Sequence, residues 1–181
     1  MNDMTKSNLQ SAYGGESMAH MRYLAFAVKA EEEGYKNISR LFNATSFAEQ
    51  VHATNHFKVM KDEKGDASVN AGAAFGYLTT LDSLELAIGG EKFEIEQMYP
   101  AYISVAKMQG EKNALRSMEW ALEVEKHHFD LFNKAKDAVA SGKDVDFAVI
   151  NVCSCCGATL VGDFDSDCPV CGAKKHIFKT F

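Results

Sequence analysis

Glu49-Gln50-Val51-His52 and Glu125-Lys126-His127-His128 are the two stretches from which the fold is read. Each places a carboxylate and an imidazole three residues apart, on one face of the chain if the segment is helical. Working outward, a lone glutamate precedes each pair at nearly the same distance: Glu16 stands 33 residues before Glu49, and Glu91 stands 34 before Glu125. The unit repeated is a helical hairpin in which one helix carries a glutamate inward and its partner returns with Glu-x-x-His. Two such hairpins bundled together converge four carboxylates and two imidazoles on one point, the ligand set of a di-iron or di-manganese carboxylate centre.

Helix signals fill in the rods. Residues from Thr5 to Glu33 are rich in Ala, Met, Leu and Glu and read as a helix stopped at Gly34. A second helix is expected from Asn37 to Lys64, stopped at Gly65. The small, polar segment Asp66 to Thr79 is long for a hairpin turn and reads as a crossover. A third helix, Thr80 to Gln109, contains Pro100, which removes a backbone donor and predicts a kink. Gly110 separates it from a fourth helix, Glu111 to Ala140, ended by Ser141-Gly142. The fold class is therefore an all-α four-helix bundle with a long connection between its second and third helices.

Phase decides whether the glutamates face water or the core. Three-four spacing gives Leu9, Ala12, Glu16, Ala19 and Tyr23 in the first helix, and Phe42, Thr45, Glu49, His52, His56 and Val59 in the second. The third gives Leu84, Ala87, Glu91, Glu94, Met98, Tyr102 and Val105, and the fourth Leu115, Met118, Leu122, Glu125, Phe129 and Phe132. Five carboxylates are thus predicted to point inward with no lysine or arginine on the same stripes. Burying an unpaired carboxylate costs several kcal/mol, and a cluster of them repels itself. Two divalent or trivalent cations neutralise such a cluster, and carboxylate oxygens with imidazole nitrogens suit iron or manganese.

With 181 residues, 46% of them hydrophobic, the chain can bury one main core plus a small appendage. A net charge of -6, from 19 basic and 25 acidic residues, gives no basic patch for nucleic acid. Met1 to Lys6 lacks the basic and apolar regions of a signal peptide, and no stretch approaches a membrane span. The expectation is a soluble, cytoplasmic protein.

All five cysteines lie between Cys153 and Cys171, so they cannot staple the body of the chain. Cys153-Ser-Cys-Cys156-Gly157 and Cys168-Pro-Val-Cys171-Gly172 are two C-x-x-C-G knuckles with 11 residues between them, a tetrahedral tetrathiolate site for zinc or a single iron. Cys155 is a spare thiol, read as packing. The tail is too short to build much core, so its folding is expected to depend on metal.

Among the remaining residues, His20 and His56 each lie one turn from a proposed ligand, as supporting or alternative ligands or as hydrogen-bonded core histidines, the reading preferred here for both. His127 is out of phase with Glu125, and Trp120 reads as packing. Tyr23 lies two turns beyond Glu16 on the same face, and Tyr99 within reach of Glu91 and Glu94. Phenols there can hydrogen-bond a carboxylate or donate a proton, or simply pack.

Taken together, the repeated glutamate pattern, the Gly90-Glu91-Lys-Phe-Glu94 stretch leading to Met98-Tyr99-Pro100, and the ending Cys168-Pro-Val-Cys171-Gly172-Ala173 resemble rubrerythrins over nearly the whole chain. The resemblance implies a ferritin-like di-iron bundle over residues 1–142, a linker over 143–151 and a rubredoxin-like domain over 152–181. It implies Glu16, Glu49, His52, Glu91, Glu94, Glu125 and His128 as di-iron ligands, and Cys153, Cys156, Cys168 and Cys171 as ligands of a third iron, with zinc the alternative metal there. Glu94 has no counterpart in the first half, where Ala19 stands; in rubrerythrins this extra glutamate and the histidine at the position of His52 exchange as ligands of one iron with redox state. The implied activity is reduction of hydrogen peroxide to water, with Glu94, His52, Tyr23 and Tyr99 taking part and electrons relayed from the cysteine site. With no strand leading into a G-x-G-x-x-G turn, a separate rubredoxin or NAD(P)H-dependent reductase must supply the electrons. Rubrerythrins commonly set one subunit's cysteine domain beside another's di-iron site, which implies a homodimer or higher oligomer. The alternative function is a ferroxidase or iron-handling ferritin-like protein with a structural zinc ribbon.

Overall fold

The glycine stops and the helix ends coincide at both hairpin turns. In the computed structural model, which describes residues 1–181, α1 spans Asp3–Glu32 and Gly34 turns the chain at φ +88° into α2, Lys36–Val59. The second hairpin turns at Gly110, φ +72°, into α5, Lys112–Ala140. A side chain at either angle would clash with its own carbonyl, which is why glycine stands there.

Helix α2 ends five residues before the predicted Lys64. The residues beyond it, Lys61-Asp62-Glu63-Lys64, offer no apolar face, and a helix of this length is held by packing rather than propensity. Glu63 turns back instead to Lys6, with Nζ 2.7 Å from its carboxylate. The crossover then runs without regular structure to Thr79, whose hydroxyl accepts from Asp82 N while Asp82 accepts from Thr79 N, a capping box that starts the third rod.

That third rod is not one kinked helix. It is α3, Thr80–Phe93, then a π-helical turn, Glu94–Met98, then α4, Tyr99–Met108. Pro100 sits in the first turn of α4, directly after the π turn, so the irregularity falls upstream of the proline that cannot donate to the preceding turn. A π turn inserts one residue into the helical count. The predicted inward stripe of Met98, Tyr102 and Val105 is accordingly displaced: Tyr99 and Ala106 are fully buried, Met98 stays at the edge of the core, and Tyr102 and Val105 are half-buried. In α5 the buried face centres on Ala114, Met118, Ala121, Glu125, His128 and Phe132, leaving Leu115, Leu122 and Phe129 at its margin.

One end of the bundle is filled by Tyr23, Phe26, Phe42 and Phe132, with ring centroids 5.3 to 6.3 Å apart. The other is filled by Leu9, Met98, Tyr99, Ala106 and Met118. Between these two apolar plugs lies the polar layer that carries the glutamates.

After α5 the chain does not hang free. Asp144 accepts from the backbone amides of Asn37 and Ile38 at 2.8 and 3.2 Å, capping the first turn of α2, and Arg40 reaches the Phe147 carbonyl at 3.0 Å. Val145 and Phe147 are buried in the bundle's own core. A three-stranded antiparallel sheet follows, in the order β2 (Thr159–Val161), β1 (Ile150–Cys153), β3 (Phe178–Thr180), and it packs on α2 and α5. No helix is long and apolar enough to cross a membrane.

Candidate metal centre

Four helical rods bring Glu16, Glu49, Glu91 and Glu125 together with His52 and His128, each at most 2% exposed. They form two groups that share Glu49 and Glu125: Glu16 and His52 complete one, Glu91 and His128 the other. Within each group one ligand atom per residue lies within 4.8 Å of all the others. His52 Nδ1 is 2.9 Å from Glu49 and 2.6 Å from Glu125; His128 Nδ1 is 2.7 Å from Glu125 and 3.2 Å from Glu49. Both imidazoles therefore aim Nδ1 at the two shared carboxylates.

Their outer nitrogens are held from the cysteine module. His52 Nε2 lies 3.2 Å from the Cys156 carbonyl and His128 Nε2 lies 2.9 Å from the Thr159 hydroxyl. A donor fixed on a carbonyl at Nε2 leaves Nδ1 with its lone pair free for a metal. Gly157 makes the approach possible: a Cβ there would stand 2.5 Å from His52 Nε2.

The tyrosines cross between the halves. Tyr23, on the helix of Glu16, donates to Glu91 at 2.6 Å, and Tyr99, on the rod of Glu91, donates to Glu16 rather than to the Glu91 side the sequence suggested. Burial and the neighbouring carboxylate push both phenols well above their usual range, so each remains a donor.

The charge state of the cluster tests whether metal fits. Burial first, then repulsion among the acids, pushes Glu16, Glu91 and Glu94 well above the usual carboxylate range. Burial opposes ionisation of Glu49 and Glu125 too, but the two histidines outweigh it and hold both below the usual range. Burial lowers His128, yet Glu125 and Glu49 raise it to about 9; His52 is raised by the same pair. Protons are thus doing the neutralising that cations would do. Glu16 Oε2 and Glu91 Oε2 are buried with no hydrogen-bond partner at all. Orphaned carboxylate oxygens around two inward imidazoles are what a dinuclear site for hard cations requires.

Glu94 stands outside both groups. It opens the π turn, is half-buried, and lines a 270 Å³ cavity with Arg22, Gly90, Met98 and Tyr102 under the crossover. Arg22, absent from the predicted stripes, lowers Glu94 against the effect of burial, and its Nε is buried without a partner. Nothing in the periodicity marked it. His20 bonds Ser46, His127 contributes nothing to the centre, and His56 is fully buried between two hydroxyls.

In the tail, Cys153, Cys156, Cys168 and Cys171 form one group, with Sγ atoms 3.8 Å apart for Cys153 and Cys171 and 3.5 Å for Cys156 and Cys168. The bond from Cys156 holds the Cys153 thiol down at about 5 and drives that of Cys156 up: one thiolate is already favoured, as a metal-binding knuckle needs. Cys155 lies outside the group, while its carbonyl accepts from Asn55 of α2 at 2.7 Å. Trp120 packs against this cluster.

A four-helix bundle with two carboxylate-histidine groups and a tetrathiolate knuckle defines the class of ferritin-like di-metal proteins carrying a rubredoxin-like module. The family model for rubrerythrin matches residues 7–136. Rubrerythrin-2 of Clostridium acetobutylicum is 48% identical over 99% of this chain and 98% of its own length, and nigerythrin of Nitratidesulfovibrio vulgaris is 32% identical over 98% and 86%. Fully reduced, all-ferrous nigerythrin superposes with a TM-score of 0.88 at 29% identity, covering 100% of this chain and 88% of that one. The chain belongs to the rubrerythrin family, an oxidoreductase family of di-iron proteins with a rubredoxin-like site.

Proposed function

We propose that this chain is a non-haem di-iron peroxidase that reduces hydrogen peroxide to water and protects against oxidative stress. The observation that carries the reading is His52, whose Nδ1 faces the shared carboxylates while Nε2 sits on the Cys156 carbonyl. One side chain joins the two metal-binding groups. Two ferrous ions held among these carboxylates would supply two electrons together to the peroxide bond, avoiding the one-electron cleavage that releases hydroxyl radical.

The chain's own residues do the rest. Glu49 and Glu125, shared by both groups, would help hold each metal, with Glu16 and His52 completing one set of ligands and Glu91 and His128 the other. Glu94, on the cavity side, would be the alternative ligand to His52, which in this arrangement lies in the Glu16 group. Tyr23 and Tyr99 fix the terminal carboxylates and give up protons to them, while the apolar plugs exclude bulk water. Cys153, Cys156, Cys168 and Cys171 would hold an iron able to pass single electrons, and a separate rubredoxin or NAD(P)H-dependent reductase would supply them.

Residues 1–142, 143–151 and 152–181 are the bundle, linker and cysteine domain of this reading, and the reduced thiols suit the cytoplasm. The cysteine module stands beside the carboxylates of its own chain, so a second subunit is not needed to complete the relay. A homodimer is supported instead by the exposed apolar side chains of Met21, Val28, Phe75 and Leu78. A ferroxidase with a structural zinc ribbon leaves the His52–Cys156 contact without a role. Anaerobic reduction followed by hydrogen peroxide tests the proposal: both centres reoxidise, and unchanged spectra refute it.

A further inference from the structure

The two tyrosines at the centre end differently. Behind Tyr23 lie Phe26, Phe42 and Phe132, an apolar dead end. Behind Tyr99 the hydrogen bonds continue. His56 Nε2 lies 2.9 Å from the Tyr99 oxygen, and Ser117 Oγ lies 2.9 Å from His56 Nδ1. Tyr99 and His56 are fully buried and Ser117 is 6% exposed. Ser117 also lines a 240 Å³ surface pocket between α2 and α5, with Asn55, Lys58, Arg116 and Trp120. One end of this line therefore opens to solvent, and the other rests on Glu16.

Donor counting gives the line a direction. Tyr99 has one hydrogen and gives it to Glu16, so its oxygen accepts from His56 Nε2–H. Burial, then the neighbouring His52, drives His56 down to about 3, so the ring is neutral and carries a single N–H. With that hydrogen at Nε2, Nδ1 accepts from Ser117. All three donors then point inward, toward the carboxylate.

We propose that Ser117, His56 and Tyr99 form a proton-delivery line from the pocket between α2 and α5 to Glu16, with His56 as its necessary link. The inference rests on the peroxide reading, whose overall step, H2O2 + 2 H+ + 2 e− → 2 H2O, consumes two protons while the reduced metal pair supplies both electrons. In one passage the Tyr99 O–H bond breaks as a Glu16 O–H bond forms. Tyr99 takes the Nε2 proton, Nδ1 takes the Ser117 proton, and Ser117 takes one from solvent. One proton enters and no link is left charged. Rotation of the hydroxyls and a flip of the ring, which turns its N–H from the Ser117 side to the Tyr99 side, restore the inward direction of the line.

Two measurements test the line. In the metal-free protein, nitrogen NMR of His56 is expected to show a neutral ring protonated at Nε2, with that proton exchanging with solvent at least tenfold more slowly in Ser117→Ala. A ring protonated at Nδ1, or exchange indifferent to Ser117, overturns the proposal whether or not the protein acts on peroxide. In metal-loaded, chemically reduced protein, His56→Phe is expected to slow reoxidation by peroxide roughly 100-fold and to change the solvent deuterium isotope effect. His56→Ala, which leaves a cavity, is expected to recover rate on addition of imidazole, which a merely structural loss would not. Wild-type rate in a folded, fully loaded His56→Phe variant refutes the line. Failure of the wild type to reoxidise refutes the peroxide reading instead and leaves the NMR result to decide the wire.

Discussion

Replacing Gly157 by alanine tests the contact on which the proposed electron relay depends. The new Cβ would stand 2.5 Å from His52 Nε2, 3.0 Å from its Cδ2 and 3.3 Å from the Ala48 carbonyl, on a backbone at φ +86°. The left-handed backbone costs a non-glycine residue about 1–2 kcal/mol. The overlap adds about 1–3 kcal/mol if the module stays in place, or about 1 kcal/mol of lost hydrogen bond if it backs away from His52. A total of about 2–5 kcal/mol corresponds to a fall in Tm of roughly 4–20 °C for a chain of this length. Gly172→Ala is the control, since Gly172 has φ +73° with nothing within 4 Å of the added carbon, and so carries the backbone cost alone. Thermal melts of metal-loaded protein and stopped-flow transfer from the cysteine iron to the di-iron pair read the two effects. Gly157→Ala should slow the transfer and melt lower than Gly172→Ala. Equal melting and equal transfer in the two variants would show that the module does not need to touch His52.

Glu94→Ala should keep the fold and melting temperature but slow peroxide turnover about tenfold or more, and wild-type turnover would remove Glu94 from the site. Cys171→Ser should block electron delivery from the donor while a di-iron site reduced beforehand still reacts directly with peroxide. Above about pH 6.5, where the lowered His56, Glu49 and Glu125 no longer titrate, metal-free protein should lose stability as pH rises. His128, raised in the folded state to about 9, contributes most below its unfolded value of about 6.5 and loses about 3 kcal/mol by pH 9. The raised Glu16, Glu91 and Glu94 act in the same direction, and a flat pH profile of Tm in chelated protein would contradict this. Iron at the cysteine site should colour freshly purified protein, whereas a colourless protein with zinc there would break the relay.

The bundle, its crossover and the convergence of Glu16, Glu49, His52, Glu91, Glu125 and His128 were legible because helical period converts spacing into direction. Helices of regular count need no tertiary information to say which way Glu49 points. The π turn at Glu94 was not legible, since an inserted residue leaves the letters unchanged and only shifts the phase that follows; this is why Tyr99, not Tyr102, faces Glu16. Arg22 and Ser117 lay off the predicted stripes, and their positions depend on how closely neighbouring rods approach. The Cys156 carbonyl and Thr159 hydroxyl were out of reach for another reason. Where a sheet lands on a bundle is set by the path of the chain between them, and the short segment 141–149 carries no helical periodicity from which to read that path.

That path ends in Asp144, which completes the first turn of the helix bearing Glu49 and His52 from more than a hundred residues away. The tail is therefore not a detachable cassette. A truncation at the end of α5, made to obtain the bundle alone, would also uncap α2, uncover the buried places of Val145 and Phe147, and release both histidines from their outer partners. Chimaeras that exchange one relative's cysteine module for another's would have to carry this anchoring aspartate with them to leave the bundle as they found it.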